Sequence, residues 1–321
     1  AATVRAGINS RKIGRLCPMK ENRLGPVQPR HASTVILLRD TLSGIEVYVQ
    51  ERASTMKFCA EMTVFPGGGV DSRDMPGDVD GDGHMSPAIN WQGAEVKWWA
   101  KRLQKPESMT RALVCAAVRE TFEESGTLLA THRDGSPVED TTPYQEERKL
   151  LENHQLSFSD FMSNNDLVLR SDLLRPWANW VTPVEQPIRY DTAFFVAAMP
   201  EGQQTSAGTP EATSTGWFRP STLLDGWRSR KISLMPPTWA QLKLLDTFRT
   251  VEEVLDFSSN LSVDPVLAEP VDEPYMAEYY LMEQQMYGAP ARQFAPGMKF
   301  AVDPADLPAN PFASRPHSYE Q

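Results

Sequence analysis

The sequence predicts an α/β class protein, an α/β/α sandwich built on a mixed β-sheet, and three observations carry that expectation. Apolar strand candidates pair through a turn near the start of the patterned region. A continuous apolar run follows near residue 195, and two helices have apolar faces suited to covering a sheet. Ser33–Leu38 and Glu46–Glu51 are the first strands, and the turn-like DTLSG between them is a hairpin signal. Met62–Phe65 is a third strand, leading into Pro66 and the glycines Gly67, Gly68 and Gly69. Thr192–Met199 holds the run AFFVAAM and reads as a central strand, and Gly216–Phe218 is a further strand end. Pro237–Phe248 sets Trp239, Leu242 and Leu245 on one face and predicts a packing helix.

The other helix carries the chemistry. Ala112–Thr127 reads ALVCAAVRETFEESGT, and Gly126 stands where a C-cap glycine ends a helix. At about 100° per residue, Glu124 falls about 40° from Glu120 and Glu123 about 60° to its other side. Val114, Val118, Thr121, Phe122 and Ser125 form a buried stripe beside them. Three carboxylates on one narrow face repel one another, and a hard divalent cation with oxygen ligands offsets that repulsion. The reading is a Mg²⁺ site and phosphate chemistry; the alternative is a solvated acidic face. Arg119 favours the former, because it can pair with Glu123 at i,i+4 and fix a carboxylate's direction. The glycine run favours it too, since backbone without Cβ atoms can approach a ligand closely.

Together the glycine turn and the acidic helix resemble the Nudix box, G-x5-E-x7-R-E-U-x-E-E-x-G-U, where U is bulky and apolar. Gly68 matches the opening glycine, and Arg119, Glu120, Glu123, Glu124 and Gly126 match the closing R-E…E-E-x-G. Arg119 lies 51 residues after Gly68 where the box allows 14, so about 37 residues are inserted. The glutamate eight positions before the arginine is replaced by Arg111, which puts the local salt-bridge scaffold in doubt, and Thr121 and Thr127 occupy the U positions. The split box, with the flanking segments ASTVILLRD, EVYVQER, TVFPGG, WANWVTP, RYDTAFFVAAMP and LMPPT, is similar to the Nudix branch related to peroxisomal coenzyme A diphosphatase.

The resemblance implies a Nudix α/β/α sandwich and hydrolysis of a diphosphate linkage in a nucleoside diphosphate derivative. Coenzyme A or acyl-CoA is the favoured substrate, giving 3′,5′-ADP and 4′-phosphopantetheine. An ADP-ribose or NADH pyrophosphatase and a non-catalytic ligand sensor are the alternatives. Glu120, Glu123 and Glu124 would hold Mg²⁺ (or Mn²⁺), with the Gly67 carbonyl completing the cage. Arg119 would orient them, and Glu211, in GTPEATSTGW, is the candidate general base, with a solvated loop residue as its other reading. Arg52 and Arg189 are candidate contacts to the outer phosphates, since planar guanidinium suits phosphate oxygens, and Gly67 and Gly68 would lie against the substrate.

Composition sets the boundaries. The 321 residues divide into a basic leader, 1–30, a Nudix domain, 31–256, holding the insertion 72–110, and a Pro-rich C-terminal extension, 257–321. The leader carries Arg5, Arg11, Lys12, Arg15, Lys20, Arg23 and Arg30 against one acid, Glu21, with no apolar core of a secretory signal; Met19 is a candidate start. A formal charge of −10 argues against nucleic acid as a partner. No apolar run approaches the roughly 18 residues of a membrane span. Cys17, Cys59 and Cys115 show neither metal-ligand spacing nor a disulfide framework. The last residues, PHSYEQ, are not an S-K-L-type peroxisomal address, so a peroxisomal compartment is not carried over from the resemblance; a cytoplasmic location is expected. A small-molecule nucleotide is the expected partner, with a homodimer also allowed for. DVDGDGH (Asp78–His84) imitates a calcium loop but has Ile89 where the bidentate glutamate belongs, and reads as an Asp/Gly hairpin. Trp98 and Trp99 read as packing. A tail helix is expected at Tyr275–Tyr287, with the tail wrapping the core or a partner.

Overall fold

The computed structural model describes residues 27–53, 62–71, 74, 88–184, 186–206, 212–259, 261, 263–267 and 278–279. Glu211, Met19, Cys17, Cys59 and the DVDGDGH segment lie outside these residues, as does the expected tail helix apart from Glu278 and Tyr279. Along the chain run β1 (Arg30–Thr41), β2 (Gly44–Arg52), β3 (Met62–Val64), β4 (Gly67–Gly69), β5 (Trp91–Gln92), α1 (Val96–Leu103) and α2 (Glu107–Ser125). Then come β6 (Ala130–His132), α3 (Gln145–Glu152), α4 (Phe158–Asn164), β7 (Leu167–Arg170), β8 (Leu174–Val181) and β9 (Tyr190–Ala198). Last are β10 (Ala212–Phe218), α5 (Pro220–Arg228), β11 (Ser233–Leu234), α6 (Pro236–Leu245), α7 (Val251–Ser259) and β12 (Pro265–Leu267).

The main sheet runs β11-β3-β2-β1-β9-β8-β12, with β10 added to β2 and β4 to β1. It is mixed: β1 pairs β2 and β4 antiparallel but β9 parallel, with Val35 opposite Phe195. The apolar run of β9 is uninterrupted because both of its faces are covered. Val35, Leu37, Ala193, Phe195 and Ala197 pack with α1, α2 and α4 on one side. Ile36, Leu38, Phe194 and Val196 pack with Trp227, Trp239 and Leu242 of α5 and α6 on the other. The expected sandwich is therefore present. A second, small sheet, β5-β7-β6, closes the end beyond α2.

Inside the expected insertion, α1 buries Trp99 and Leu103 fully, while Trp98 stays at the edge with the Arg102 guanidinium over its ring at 4.6 Å. Both indoles are packing groups. Parts of the C-terminal extension are fixed to the core: β12 pairs with β8, the Tyr279 ring stacks on Trp227 at 5.4 Å, and its hydroxyl donates to the Leu234 carbonyl at 2.8 Å. Glu278 beside it pairs with Arg228 and Lys243.

The sequence reading passed over α3, α4, α5, α7 and β7. These are short elements in which N-caps and prolines outweigh periodicity. α4 starts on Ser157, whose hydroxyl accepts the Asp160 N–H at 3.0 Å, and α5 starts on Pro220.

Phe195 is fully buried with Trp99 at 5.9 Å, between β9 and the helices that carry the acidic face. Phe195→Ala should lower unfolding free energy by about 3–5 kcal/mol. Equilibrium denaturation checks this, and a loss under about 1 kcal/mol would contradict the core assignment.

Candidate active site

The acidic helix begins five residues earlier than its apolar pattern suggested, at Glu107, and ends as expected on Gly126 with φ +74°. From Ala112 to Ser125 every residue except Glu120 is buried. The polar members of the stripe are satisfied along the helix: Thr121 Oγ1 donates to the Ala117 carbonyl and Ser125 Oγ to that of Thr121. Ser33 of β1 ties the helix to the sheet, its hydroxyl donating to the Leu113 carbonyl at 2.6 Å. At the far end, Arg148 of α3 donates from Nε to the Glu123 carbonyl at 2.9 Å. Carboxylates that would be solvated on a lone helix are thus enclosed on several sides.

One guanidinium organises them. Arg119, 5% exposed, donates from Nη1 to Glu120 at 2.8 Å and to both Glu123 oxygens at 3.3 Å, as the i,i+4 spacing predicted. Its main partner is Asp74, reached from Nε at 2.8 Å and from Nη2 at 2.9 Å in a two-pronged pair, while Nη2 also reaches the Gly69 carbonyl at 3.0 Å. Asp74 is in turn held by the Asp71 N–H at 2.8 Å. The doubt about the salt-bridge scaffold is therefore corrected. Asp74 lies six residues after Gly68, the place of the box's first acid, so the scaffold is complete with an aspartate on the near side of the insertion. Counting forward from Gly68, not back from Arg119, would have found it.

The glycine strand β4 lies against the same helix. Gly67 faces Thr34 of β1, and Val35 N–H bonds the Pro66 carbonyl, so the polar groups of Gly67 itself point away from β1. Its N–H donates to Glu124 Oε2 at 2.6 Å. A Cβ on Gly68 would run into the Glu120 carboxylate, 2.6 Å from Oε2, so a larger residue there would displace that carboxylate.

Burial raises the pKa of two of these acids, and repulsion from neighbouring carboxylates adds to the shift. Glu120 is pushed up to about 7 by desolvation, against the pull of Arg119 and with the push of Glu123 and Asp74. Glu124 is pushed up to about 8 by desolvation and by Glu120, against the Gly67 N–H, a hydrogen bond from Gln50 and the charge of Arg52. The three acids do not already form a closed cage. Among the described residues no group of three or more His, Cys, Asp or Glu side chains surrounds a common point, because Arg119 draws Glu123 and Glu120 while Gly67 and Gln50 hold Glu124. Two neighbouring carboxylates, one buried and one half-buried, that disfavour each other's charge and offer oxygen donors only fit a hard divalent cation.

Arg52, at the end of β2, stands with this group through its effect on Glu124. Arg189 does not. Its Nε donates to the Thr182 carbonyl at 3.0 Å and its Nη1 to the Val27 carbonyl at 2.7 Å, so it fastens the chain entering β1, and the expected phosphate contact is corrected to a structural one. Gln50 is the site residue that sequence reasoning passed over.

A family model described as the NUDT19 Nudix domain matches residues 29–245. The chain belongs to the Nudix family. Acyl-coenzyme A diphosphatase NUDT19 of Xenopus laevis is 29% identical over 268 residues, covering 73% of this chain and 70% of that protein. The protein of the same description from Gallus gallus is 27% identical over 249 residues, 68% of this chain and 66% of that one. The crystal structure of a NUDIX hydrolase from Alicyclobacillus acidocaldarius superposes with a TM-score of 0.59 at 27% identity, covering 74% of this chain and 99% of that one. This Nudix protein is accordingly a hydrolase by family, with the residues of the R-E-x-x-E-E segment all in place. No helix among the described residues is long and apolar enough to cross a membrane.

Two outcomes follow for the Nudix site. Asp74→Ala leaves Arg119 short of its two-pronged partner and should cost about 3 kcal/mol of stability in urea unfolding. An unchanged midpoint would show that Glu120 and Glu123 suffice. The second concerns pH. An unfolded glutamate titrates near 4.3, below Glu120 and Glu124 in the folded protein, so the folded state binds more protons between about 4.5 and about 8. Stability is then greatest below that window and falls as pH rises through it. The unfolding temperature should drop from pH 5 to pH 8.5 without divalent cations, and added Mg²⁺ or Mn²⁺ should flatten the slope. A slope that is the same with and without the metal would contradict the assignment.

Proposed function

We propose that this protein hydrolyses the diphosphate linkage of a nucleoside diphosphate derivative in a Mg²⁺-dependent reaction, with Mn²⁺ as substitute. The substrate in this reading is coenzyme A or an acyl-CoA, and the products are 3′,5′-ADP and 4′-phosphopantetheine or its acyl form. The observation that carries the chemistry is the acid set Glu120, Glu123 and Glu124, the last two buried and Glu120 half-buried, braced by Arg119 and Asp74 beneath a side-chain-free strand. The acyl-coenzyme A diphosphatases of Xenopus laevis and Gallus gallus, as relatives, support the choice of substrate.

Glu120, Glu123 and Glu124 with the Gly67 carbonyl would hold the cation, which supplies neutralisation of phosphate charge and a more acidic water. Arg119 keeps Glu120 and Glu123 turned toward one another and spares each the full repulsion of its neighbour. Gly67 and Gly68 let a diphosphate approach the helix without a Cβ between them. Arg52, whose buried Nε has no hydrogen-bond partner, donates to an outer phosphate oxygen. Glu211 remains the candidate to take the proton from the attacking water.

A product-resolved hydrolysis screen over coenzyme A, acetyl-CoA, ADP-ribose, NADH and dinucleoside polyphosphates tests the reading. Coenzyme A should be cleaved fastest, to 3′,5′-ADP. Glu124→Gln should lower kcat at least about 100-fold, the equivalent of about 3 kcal/mol of transition-state stabilisation, while the fold persists. Preference for ADP-ribose or NADH would replace the substrate and keep the chemistry. Binding without turnover would make the protein a ligand sensor.

A further inference from the structure

Strand β2 alternates in composition, and the alternation separates two faces. Val47 and Val49 turn to the α5–α6 side of the sheet, whereas Tyr48 packs on the α2 side. Gln50 and Arg52, two and four residues on, project to that same side by the two-residue period of a strand. Gln50 sits deep in the sheet, opposite Val64 of β3 on one edge and Thr215 of β10 on the other, and is 2% exposed. An amide bonding a carboxylate must donate through its nitrogen, which leaves its oxygen as an acceptor. Gln50 Oε1 is buried with no hydrogen-bond partner, and Arg52 Nε, one step along the same face, is likewise buried and unpartnered. Leaving a buried acceptor empty costs about 1–3 kcal/mol, so a strand that retains one at this point is built for a donor that arrives with the ligand.

We propose that Gln50 is a positioning residue of the active site: its amide nitrogen aims the Glu124 carboxylate, and its Oε1 accepts a hydrogen bond from a water molecule held at the cation site. The donor is a water and not a phosphate, because an amide oxygen and a phosphate oxygen are both acceptors. Arg52 Nε beside it supplies the complementary donor for the phosphate. Strand β2 thus offers an unpartnered acceptor and then an unpartnered donor along one face. This inference rests on the cation reading of the site but is independent of which diphosphate is cleaved.

The test uses the full chain and the metal alone before any substrate. Mn²⁺ affinity is measured by electron paramagnetic resonance for the wild type, Gln50→Met and Gln50→Glu, with circular dichroism as the fold control. Methionine keeps length and volume but loses both hydrogen-bonding functions; glutamate keeps the acceptor. Gln50→Met should weaken Mn²⁺ binding by about 10-fold or more, the range for partners that orient metal ligands, and Gln50→Glu should bind at least as tightly as wild type. With a turned-over diphosphate substrate, Gln50→Met should lose kcat with KM within about twofold. Wild-type Mn²⁺ affinity in a folded Gln50→Met would overturn the proposal, as would a rise confined to KM. If Gln50→Met does not fold, Gln50→Glu decides: wild-type or tighter Mn²⁺ binding supports the role, and weaker binding overturns it. Failure of coenzyme A as a substrate, with the Mn²⁺ pattern as expected, would overturn the substrate assignment and leave Gln50 in place.

Discussion

Gathering Asp74, Glu120, Glu123 and Glu124 around one end of α2 is the constraint on which the site depends. Water would normally solvate such charges, and here helices and strands cover most of it. Arg119 makes the arrangement tolerable, because a planar guanidinium can serve several carboxylates at once from fixed directions. It touches Asp74, Glu120 and Glu123 and still reaches the Gly69 carbonyl. One positive charge among four acids leaves the cluster electron-rich, and the upward shifts of Glu120 and Glu124 express that imbalance. The scaffold is stable enough to persist and unbalanced enough to want a cation.

The rest of the molecule holds that cluster still. β1 carries β4 on one edge and anchors α2 through Ser33, so the glycine strand and the acidic helix share a single support. Arg148 fixes the end of α2 where the acids lie, bonding both the Glu123 carbonyl and Ser206 at 2.7 Å. On the opposite face, Trp227 and Trp239 back the sheet and receive Tyr279 from the C-terminal extension. Lys105 and Asn179 converge on Asp191, at 2.6 and 2.7 Å, to brace the start of β9 close to the origin of α2. The bracing is distributed over both layers, as a site that must keep sub-ångström geometry requires.

Much of this was legible from residue order. The strands β1, β2, β3, β9 and the end of β10 follow from apolar runs and turn chemistry, and α2 follows from its stripe and its closing glycine. Asp74 was legible in principle, at a fixed spacing from Gly68, but a search backward from Arg119 crosses the insertion and loses the register. Gln50 left a fainter trace. In EVYVQER the valines alternate with Tyr48, Gln50 and Arg52, and a polar set on a strand that is otherwise buried marks a face with something to bind.

The sequence by itself determined the fold class, the helix that bears the acids, and the identity of Arg119, Glu120, Glu123 and Glu124 as a group. Those depend on periodicity and on local spacing, which the chain carries along its length. Only the tertiary structure decided that Arg119 finds its strongest partner in Asp74, 45 residues away, and that Glu124 is met by the Gly67 N–H and by Gln50. It likewise decided that Arg189, alike in sequence to Arg52, serves two backbone carbonyls instead of the site. An arginine's role is set by which acceptors surround its guanidinium, and those acceptors come from segments that only folding brings together.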